Sequence, residues 1–427
     1  PQMRSAALLA RAHPRVHAQA SSTSTKTKPA PAKTLSRASM KTVPLHVGFV
    51  GTGLIGGVAV KQVASRAGTL LEQTGLDLKL AGATDSKSMI LASDPAAGLA
   101  NDAVTGGADG AVADWNAEAL SGEISPCDLD AFAAALRERA EATGAHAVIV
   151  DNTSSEAVAD RYEGWLASGV HVVTPNKKAN SGDLKRFKAI RTAATSSGAK
   201  WLCEGTIGAG LPIVSTLRTL RASGDEIRSV QGVFSGTMSF LFNTWDPAGG
   251  QPFSEVVLAA KAAGFTEPDP RDDLNGMDVA RKVVIAARES GVDLELADVT
   301  TRSLVPPSLE SCDAAEYVSR MAEFDGDIAK EAADAASRGN VLRFVGKVDV
   351  EKGVGSVELG EFPKTHPFAG LQGADNVVEI QSSRYSAAGG STPLIVRGPG
   401  AGAAVTAGGV FGDLCKLGAQ LGASVLI

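Results

Sequence analysis

The turn Gly51-Thr52-Gly53-Leu54-Ile55-Gly56 constrains this chain more than any other short stretch. It follows an apolar, β-rich run from Leu45 to Val50 and leads into a helical stretch from Val58 to Ala67. In such a turn the first glycine permits the tight bend and the second lets backbone approach a phosphate. The third allows close helix–strand packing, and the helix start offers its free N–H groups to an anion. The chain holds 47 glycines, so the spacing alone carries little. The strand before it and the helix after it carry the inference. The expectation is a dinucleotide whose pyrophosphate lies against Gly51, Gly53, Leu54, Ile55 and Gly56. A second apolar run, Leu78 to Ala83, ends at Asp85, where an acid would meet the ribose. Asp85 suits an unphosphorylated ribose and nearby Lys87 a 2′-phosphate, so NAD and NADP both stay open.

At 427 residues the chain is too long for one ordinary core. The net charge of -6 gives no nucleic-acid footprint, and no apolar run reaches the ~20 residues of a membrane helix. Four dispersed cysteines, Cys127, Cys203, Cys312 and Cys415, follow no metal-ligand spacing and suit a reducing compartment. Residues 1 to 42 contain no Asp or Glu and eight Lys or Arg, with a hydroxyl-rich stretch from Ser21 to Thr27. That is the composition of an organellar transit peptide, with plastid the first expectation and mitochondrion the alternative. A basic tail with no address is the plainer reading.

Along the rest of the chain, strands alternate with helices. After a Gly/Ala/Asp-rich loop near residues 95 to 114, a helix is expected over Leu129 to Ala142. Strands follow at Ala147 to Val150 and Val170 to Thr174. This pattern implies a Rossmann-type α/β fold, a doubly wound parallel sheet over residues 43–200 with ligands beyond the strands' carboxyl ends. From Trp201 the texture becomes mixed α+β. Strands are expected at Ile227 to Phe234, Leu342 to Val348 and Val377 to Gln381, and helices near 254–263, 273–290 and 312–338. Residues 201–396 form this second domain, and residues 397–427 a C-terminal segment, helical from Val405 onward.

Besides the glycine turn, two loops leave strands at the ligand edge. Asp151 to Glu156 has the capping-box spacing Thr153-x-x-Glu156, and its hydroxyls would also lie beside a nicotinamide. Pro175-Asn176-Lys177-Lys178 places two lysines there. The densest cluster is Glu267 to Lys282, with five carboxylates and three cations in sixteen residues around Pro268 and Pro270. Asp278 and Lys282 are i,i+4 neighbours on one helix. Acids in a helix's first turn and a surface ion pair explain part of this charge. An amino-acid-like substrate explains the remainder: it needs carboxylates for its ammonium and a cation beside its reacting oxygen. Cys203 to Pro212 is a glycine-rich turn that could aim carbonyls and Glu204 at a hard cation, or simply cross between domains. Ser235-Gly236-Thr237 is either an N-cap or an anion-binding helix start.

Taken together, these segments closely resemble homoserine dehydrogenases over residues 44 to 421. The resemblance rests on GxGxxG, DNTSSE, TPNKKA, EGTIGAGLP, SGTMSF, TEPDPRDDLNGMDVARK and the C-terminal GAGAAVTAGGVFGDL. It implies NAD(P)H-dependent reduction of L-aspartate 4-semialdehyde to L-homoserine, on the path to threonine, methionine and isoleucine. It implies Lys282 as the catalytic lysine, Asp278 as its orienting acid, Lys178 as the lysine of the NKKA segment, and Glu267 and Asp273 on the substrate. Asn152, Thr153, Lys178 and Gly402 fall to the cofactor. Glu204 and the carbonyls of Ile207, Ala209 and Leu211 fall on a sodium site, and a homodimer is implied. Gly205 stands where the family commonly has alanine. No aspartokinase segment precedes the enzyme here, so a monofunctional chain is expected and threonine feedback is not. The rival readings are another semialdehyde or amino-acid dehydrogenase, and a dinucleotide-binding sensor without turnover.

Overall fold

The computed structural model describes residues 41–100, 120–386 and 392–426. The expected leader therefore lies outside the described residues, apart from its last two, as does much of the loop expected near 95–114. The first sheet begins with β1 (Val43–Val50), followed by α1 (Leu54–Thr74) and β2 (Leu76–Thr84). Then come β3 (Ser88–Ala92), β4 (Gly122–Pro126), α2 (Leu129–Thr143) and β5 (His146–Asp151). Two short helices, α3 (Glu156–Ala159) and α4 (Tyr162–Ala167), lead to β6 (His171–Val173). The short α5 (Lys178–Ser181), α6 (Leu184–Ser197) and β7 (Trp201–Leu202) complete this part.

The strand order is β4-β3-β2-β1-β5-β6-β7. From β2 to β7 neighbouring strands run parallel, with β1 between β2 and β5. The chain winds outward from β1 in both directions, so a crevice opens between the carboxyl ends of β1 and β5, where such sheets bind ligands. Leu45, Val47 and Phe49 of β1 are fully buried, as a strand covered on both faces requires. One face packs against α1 and the other against Phe132 and Leu136 of α2, Trp165 of α4 and Ile190 of α6.

Two features of this sheet depart from the sequence expectation. The stretch after Asp85 is partly strand: β3 and β4 add an antiparallel extension at the edge. β3 carries the apolar run Met89–Ala92, a strand signal in the sequence itself, whereas β4 is largely exposed and has only Ile124. The helix expected over Val58 to Ala67 extends at both ends. Gly53 is its N-cap, and it stops at Gly75, whose positive φ lets its N–H reach the Leu71 carbonyl. Its exposed polar residues dilute the periodic signal, while Val60, Val63 and Leu70 fix its buried face.

The second part carries α7 (Val214–Ala222), β8 (Ile227–Val233), α8 (Gly236–Thr244) and α9 (Phe253–Ala262). It continues with α10 (Arg271–Leu274), α11 (Met277–Ser290), β9 (Thr300–Thr301), α12 (Ala314–Arg320) and α13 (Asp325–Ser337). The strands β10 (Asn340–Asp349), β11 (Val354–Pro363), β12 (Asp375–Ser382) and β13 (Leu394–Pro399) follow. Its mixed sheet has the order β13-β12-β8-β10-β11-β9. One face is covered by α11, whose Val279, Val283 and Ile285 join Val230, Phe344 and Val357 in a common core.

The helix expected over 273–290 is two helices. Gly276 breaks it with φ 74°, where a Cβ would lie 3.1 Å from the Phe344 ring and 3.1 Å from the Thr301 methyl. The one expected over 312–338 is broken by a 3-10 turn, Met321–Phe324, between α12 and α13. The last helix, α14 (Ala403–Gln420), returns to the first sheet. Its Ala407, Val410, Leu414 and Leu417 share a core with β1, β2 and α1. Among the described residues, no helix is long and apolar enough to cross a membrane.

Candidate active site

The glycine turn closes as its spacing requires. Gly51 has φ +82°, and a Cβ on Gly56 would lie 1.9 Å from the Gly51 carbonyl oxygen. A Cβ on Gly53 would meet nothing within 4 Å, so the middle glycine opens onto free space. The first turn of α1 has neither a side-chain cap nor an acid, which leaves its N–H groups and dipole for an anion. Leu54 is exposed and Ile55 half-buried beside it. Thr153 lies against Gly51, and the Asn152 Cβ is 3.5 Å from where a Gly56 Cβ would stand. Both polar atoms of the Asn152 carboxamide are buried without a partner. Unpaired buried amides are costly, at about 1–3 kcal/mol, unless something else satisfies them. Uncapped helix start, open glycine and unpaired carboxamide together fit a dinucleotide.

Asp85 and Lys87 are both exposed beyond β2. One Asp85 oxygen accepts the N–H groups of Lys87 and Ser88, each at 2.7 Å, and so closes the β2–β3 turn. That leaves its other oxygen for a ribose.

The loops after β5 and β6 are held by a buried polar network around Asp151. Its carboxylate accepts from Tyr162 Oη at 2.5 Å, from Asn176 Nδ2 at 3.0 Å and from the Thr153 N–H at 2.8 Å. Burial raises the Asp151 pKa, and these donors pull it back. The expected capping box is not formed: Ser155 caps α3, accepting from the Val158 N–H, while Thr153 Oγ1 accepts from the Ser155 N–H. Thr153 lies two residues before that N-cap, with its own N–H bonded to Asp151 Oδ1. Asn176 Oδ1 accepts the Lys178 N–H at 3.0 Å and sets the start of α5.

That start decides between the two lysines. Lys178 Nζ turns toward Glu156, at 3.8 Å, while Lys177 Nζ lies 3.4 Å from Asp278 Oδ1. Of the pair, it is Lys177 that reaches the Asp278–Lys282 centre, and the doublet contains no signal that favours it.

Lys282 is buried on α11, its ammonium 2.7 Å from Asp278 Oδ2 and 2.7 Å from the Phe234 carbonyl. Two of its three N–H bonds are thus directed by protein, and the third meets no acceptor among the described residues. Burial lowers the Lys282 pKa; Asp278 opposes this and Lys177 reinforces it. For Asp278 burial acts upward, but Lys282 and then Lys177 outweigh it and hold the carboxylate below its usual range.

The other acids divide by role. Asp273 accepts from Thr237 Oγ1 at 2.9 Å and from the Glu267 N–H at 2.8 Å, which ties the Glu267 loop to the start of α8. Burial raises its pKa, with Asp278 and Asp272 adding to the rise against these two bonds. The Glu267 residue is exposed. Ser235 is an ordinary N-cap, accepting from the Met238 N–H. Asp269 and Arg271 pair with each other at 2.6 Å, and Arg271 also donates to the Leu309 and Cys312 carbonyls. Two charges of the dense cluster therefore anchor the 309–312 loop.

In the Cys203–Pro212 turn, Glu204 is buried and its carboxylate meets Lys416 Nζ at 2.8 Å and the Ser215 N–H at 3.2 Å. Its own N–H donates to Asp413 Oδ2 at 2.8 Å, joining the turn to α14. Ala209 has φ 55°, and a Cβ on Gly409 would lie 2.7 Å from its carbonyl oxygen. The Leu211 carbonyl accepts the Ile213 N–H at 2.8 Å, while Ile207 is fully buried. Glu204 is thus paired with one ammonium, and the Leu211 carbonyl keeps a second lone pair beyond its one donor. Gly402, φ 114°, caps α14, which packs along α1.

Comparison with known proteins gives a consistent assignment. Residues 51–204 match the family model for the NAD-binding domain of homoserine dehydrogenase, and residues 212–415 match the homoserine dehydrogenase model. A chloroplastic bifunctional aspartokinase/homoserine dehydrogenase of Zea mays is 47% identical over 389 residues, 91% of this chain and 40% of its own length. This chain thus spans about two fifths of that plant relative. A homoserine dehydrogenase of Saccharomyces cerevisiae is 42% identical over 312 residues, 72% of this chain and 84% of its own. Among solved structures, a Candida auris protein of unknown function superimposes with a TM-score of 0.77 at 34% identity. That match covers 90% of this chain and 99% of the other.

Proposed function

The chain belongs to the homoserine dehydrogenase family, and from that premise we propose that it reduces L-aspartate 4-semialdehyde to L-homoserine with NAD(P)H. The observation that carries the reading is Lys282: a buried ammonium with two N–H bonds fixed by Asp278 and Phe234 and one unassigned. A chain of contacts runs from it through Asp278, Lys177, Asn176 and Thr153 to Gly51.

When bound, the dinucleotide supplies the hydride to the aldehyde carbon. Gly51, Gly53, Leu54, Ile55 and Gly56 would hold its pyrophosphate, with Asn152, Thr153, Lys178 and Gly402 along the remainder. The unpaired Asn152 carboxamide supports this most directly. Lys282 donates its free proton to the oxygen that becomes the alcohol, so hydride and proton together convert CHO to CH2OH. Asp278 aims the lysine and balances its charge. A lysine pKa below its usual value eases proton donation near neutral pH. Glu267 and Asp273 would receive the substrate ammonium.

On this reading residues 43–200 bind the dinucleotide, 201–396 carry catalysis and 397–427 return to the first sheet. A homodimer and a plastid destination belong to the same reading, supported by the resemblance and by the chloroplastic plant relatives. A sodium ion on Glu204 and the carbonyls of Ile207, Ala209 and Leu211 belongs to this reading through the resemblance alone. The decisive experiment is a steady-state assay of homoserine oxidation with NAD and with NADP, beside a panel of other amino-acid alcohols. Turnover of homoserine is expected; preference for another alcohol, or none at all, would overturn the proposal.

A further inference from the structure

The Phe234 carbonyl that anchors Lys282 has a second donor. Asn376 Nδ2 lies 2.9 Å from it, and Lys282 Nζ lies 2.7 Å from the same oxygen. Both lone pairs of this carbonyl are thus occupied, one by a charged donor and one by a neutral amide. The arrangement follows from the sheet. The β8–β12 ladder ends at Val233 opposite Val377, so Phe234 and Asn376 stand one step beyond its last rung. A side chain there takes the place of the missing main-chain donor.

Two further observations set Asn376 apart from an ordinary strand-end residue. It is fully buried, and its Oδ1 has no partner. A buried unsatisfied acceptor costs about 1–3 kcal/mol, which an apolar residue of similar size would avoid. The chain also closes over it: a Cβ on Gly400 would lie 2.0 Å from Asn376 Cγ, so position 400 admits no side chain. The clamp confines the amide, and the Phe234 carbonyl, which can only accept, selects its nitrogen.

We propose that Asn376 is a positioning residue for Lys282, holding the Phe234 carbonyl where it directs the ammonium and leaves the third N–H free. The inference rests on the reading of Lys282 as the proton donor. The charged groups facing Lys282 are Asp278 on its own helix, Lys177 from the loop before α5 and Asp273 on α10. Asn376 adds direction without charge.

The test compares the full chain with Asn376→Ala and the similarly sized, apolar Asn376→Leu in steady-state kinetics across pH. In Asn376→Ala, kcat is expected to fall about tenfold or more, the cost of a loosened bond to a charged group. KM for NAD(P)H should stay within about twofold, since the change is remote from the glycine turn. The alkaline limb of kcat should move down by about one pH unit, because the ammonium loses a fixed acceptor. Asn376→Leu, which keeps the bulk but donates nothing to Phe234, should move the limb down in the same way. Should Asn376→Ala not fold, the Leu variant reads the coupling. A purely structural residue would lower activity or stability without moving the limb, and an unmoved limb in the variants overturns the positioning role. Absence of wild-type turnover would overturn the dehydrogenase reading itself, and the two failures are told apart by the wild-type control.

Discussion

At the scale of single residues, Lys282 bears the most chemical weight. Replacing it with Ala should lower kcat by about a hundredfold or more, the usual worth of a general acid. NAD(P)H binding, followed by nucleotide fluorescence, should be nearly unchanged; near-normal turnover would remove Lys282 from the mechanism. Lys282 must be protonated to donate, and burial lowers its pKa. Reduction of the semialdehyde should therefore fade as pH rises through a value below the ordinary lysine range. Lys177 contributes to that lowering as a like charge. Lys177→Ala should then shift the alkaline limb upward, whereas Lys178→Ala, whose ammonium faces Glu156, should leave the limb in place. Equal shifts in the two variants would show that the lysines exchange roles during turnover. The Asp278–Lys282 pair was legible beforehand, since helical spacing alone makes i and i+4 neighbours. The choice between Lys177 and Lys178 was not. It depends on Asn176 fixing the start of α5, and Asn176 is itself fixed by Asp151, 25 residues earlier in the chain.

At the scale of elements, legibility follows how local the determining contacts are. The central strands and the glycine turn announce themselves through apolar runs and steric demands confined to a few residues. Gly276 hid the break between α10 and α11, because its reason is tertiary: Phe344, Thr301 and Val357 crowd the site where a side chain would stand. β3 had a signal of its own, the apolar run Met89–Ala92, whereas β4 offers a single large apolar residue, Ile124, and no run to mark it. The Cys203–Pro212 turn is the clearest case of chemistry set by a distant element. Its acid was visible, but the partner is Lys416, 212 residues later on α14. Lys416→Met would leave Glu204 and Asp413 as buried carboxylates without a counter-charge. Breaking such a group costs on the order of 3 kcal/mol at neutral pH. Burial already raises the Asp413 pKa and Lys416 opposes the rise, so without the lysine protonation of Asp413 favours the folded form. The deficit should shrink as pH falls through that raised value. Urea unfolding of variant and wild type at neutral and mildly acidic pH measures it; a deficit that is absent or independent of pH would refute the account.

At the scale of the whole molecule, the dinucleotide crevice is built from chain segments far apart in sequence. β1 and α1 supply the glycine turn, β5 supplies Asn152, and α14 packs behind them from the other end of the chain. Such a crevice exists only in the folded state, so a ligand bound there must stabilise the entire assembly. At a concentration of about one hundred times Kd the gain is about 2.7 kcal/mol, enough to raise a thermal midpoint measurably. NADH and NADPH compared at equal concentration would rank the cofactors, because Asp85 and Lys87 both stand exposed beyond β2. Gly56→Ala tests whether the stabilisation originates at the turn. Its added methyl would fall 1.9 Å from the Gly51 carbonyl and force the turn apart, while Lys282 and its partners stand on other elements. The expected result is a folded variant whose midpoint no longer responds to either dinucleotide. A full shift in Gly56→Ala would mean that the nucleotide binds elsewhere, and the link from the turn through Asn176 and Lys177 to Lys282 would lose its basis.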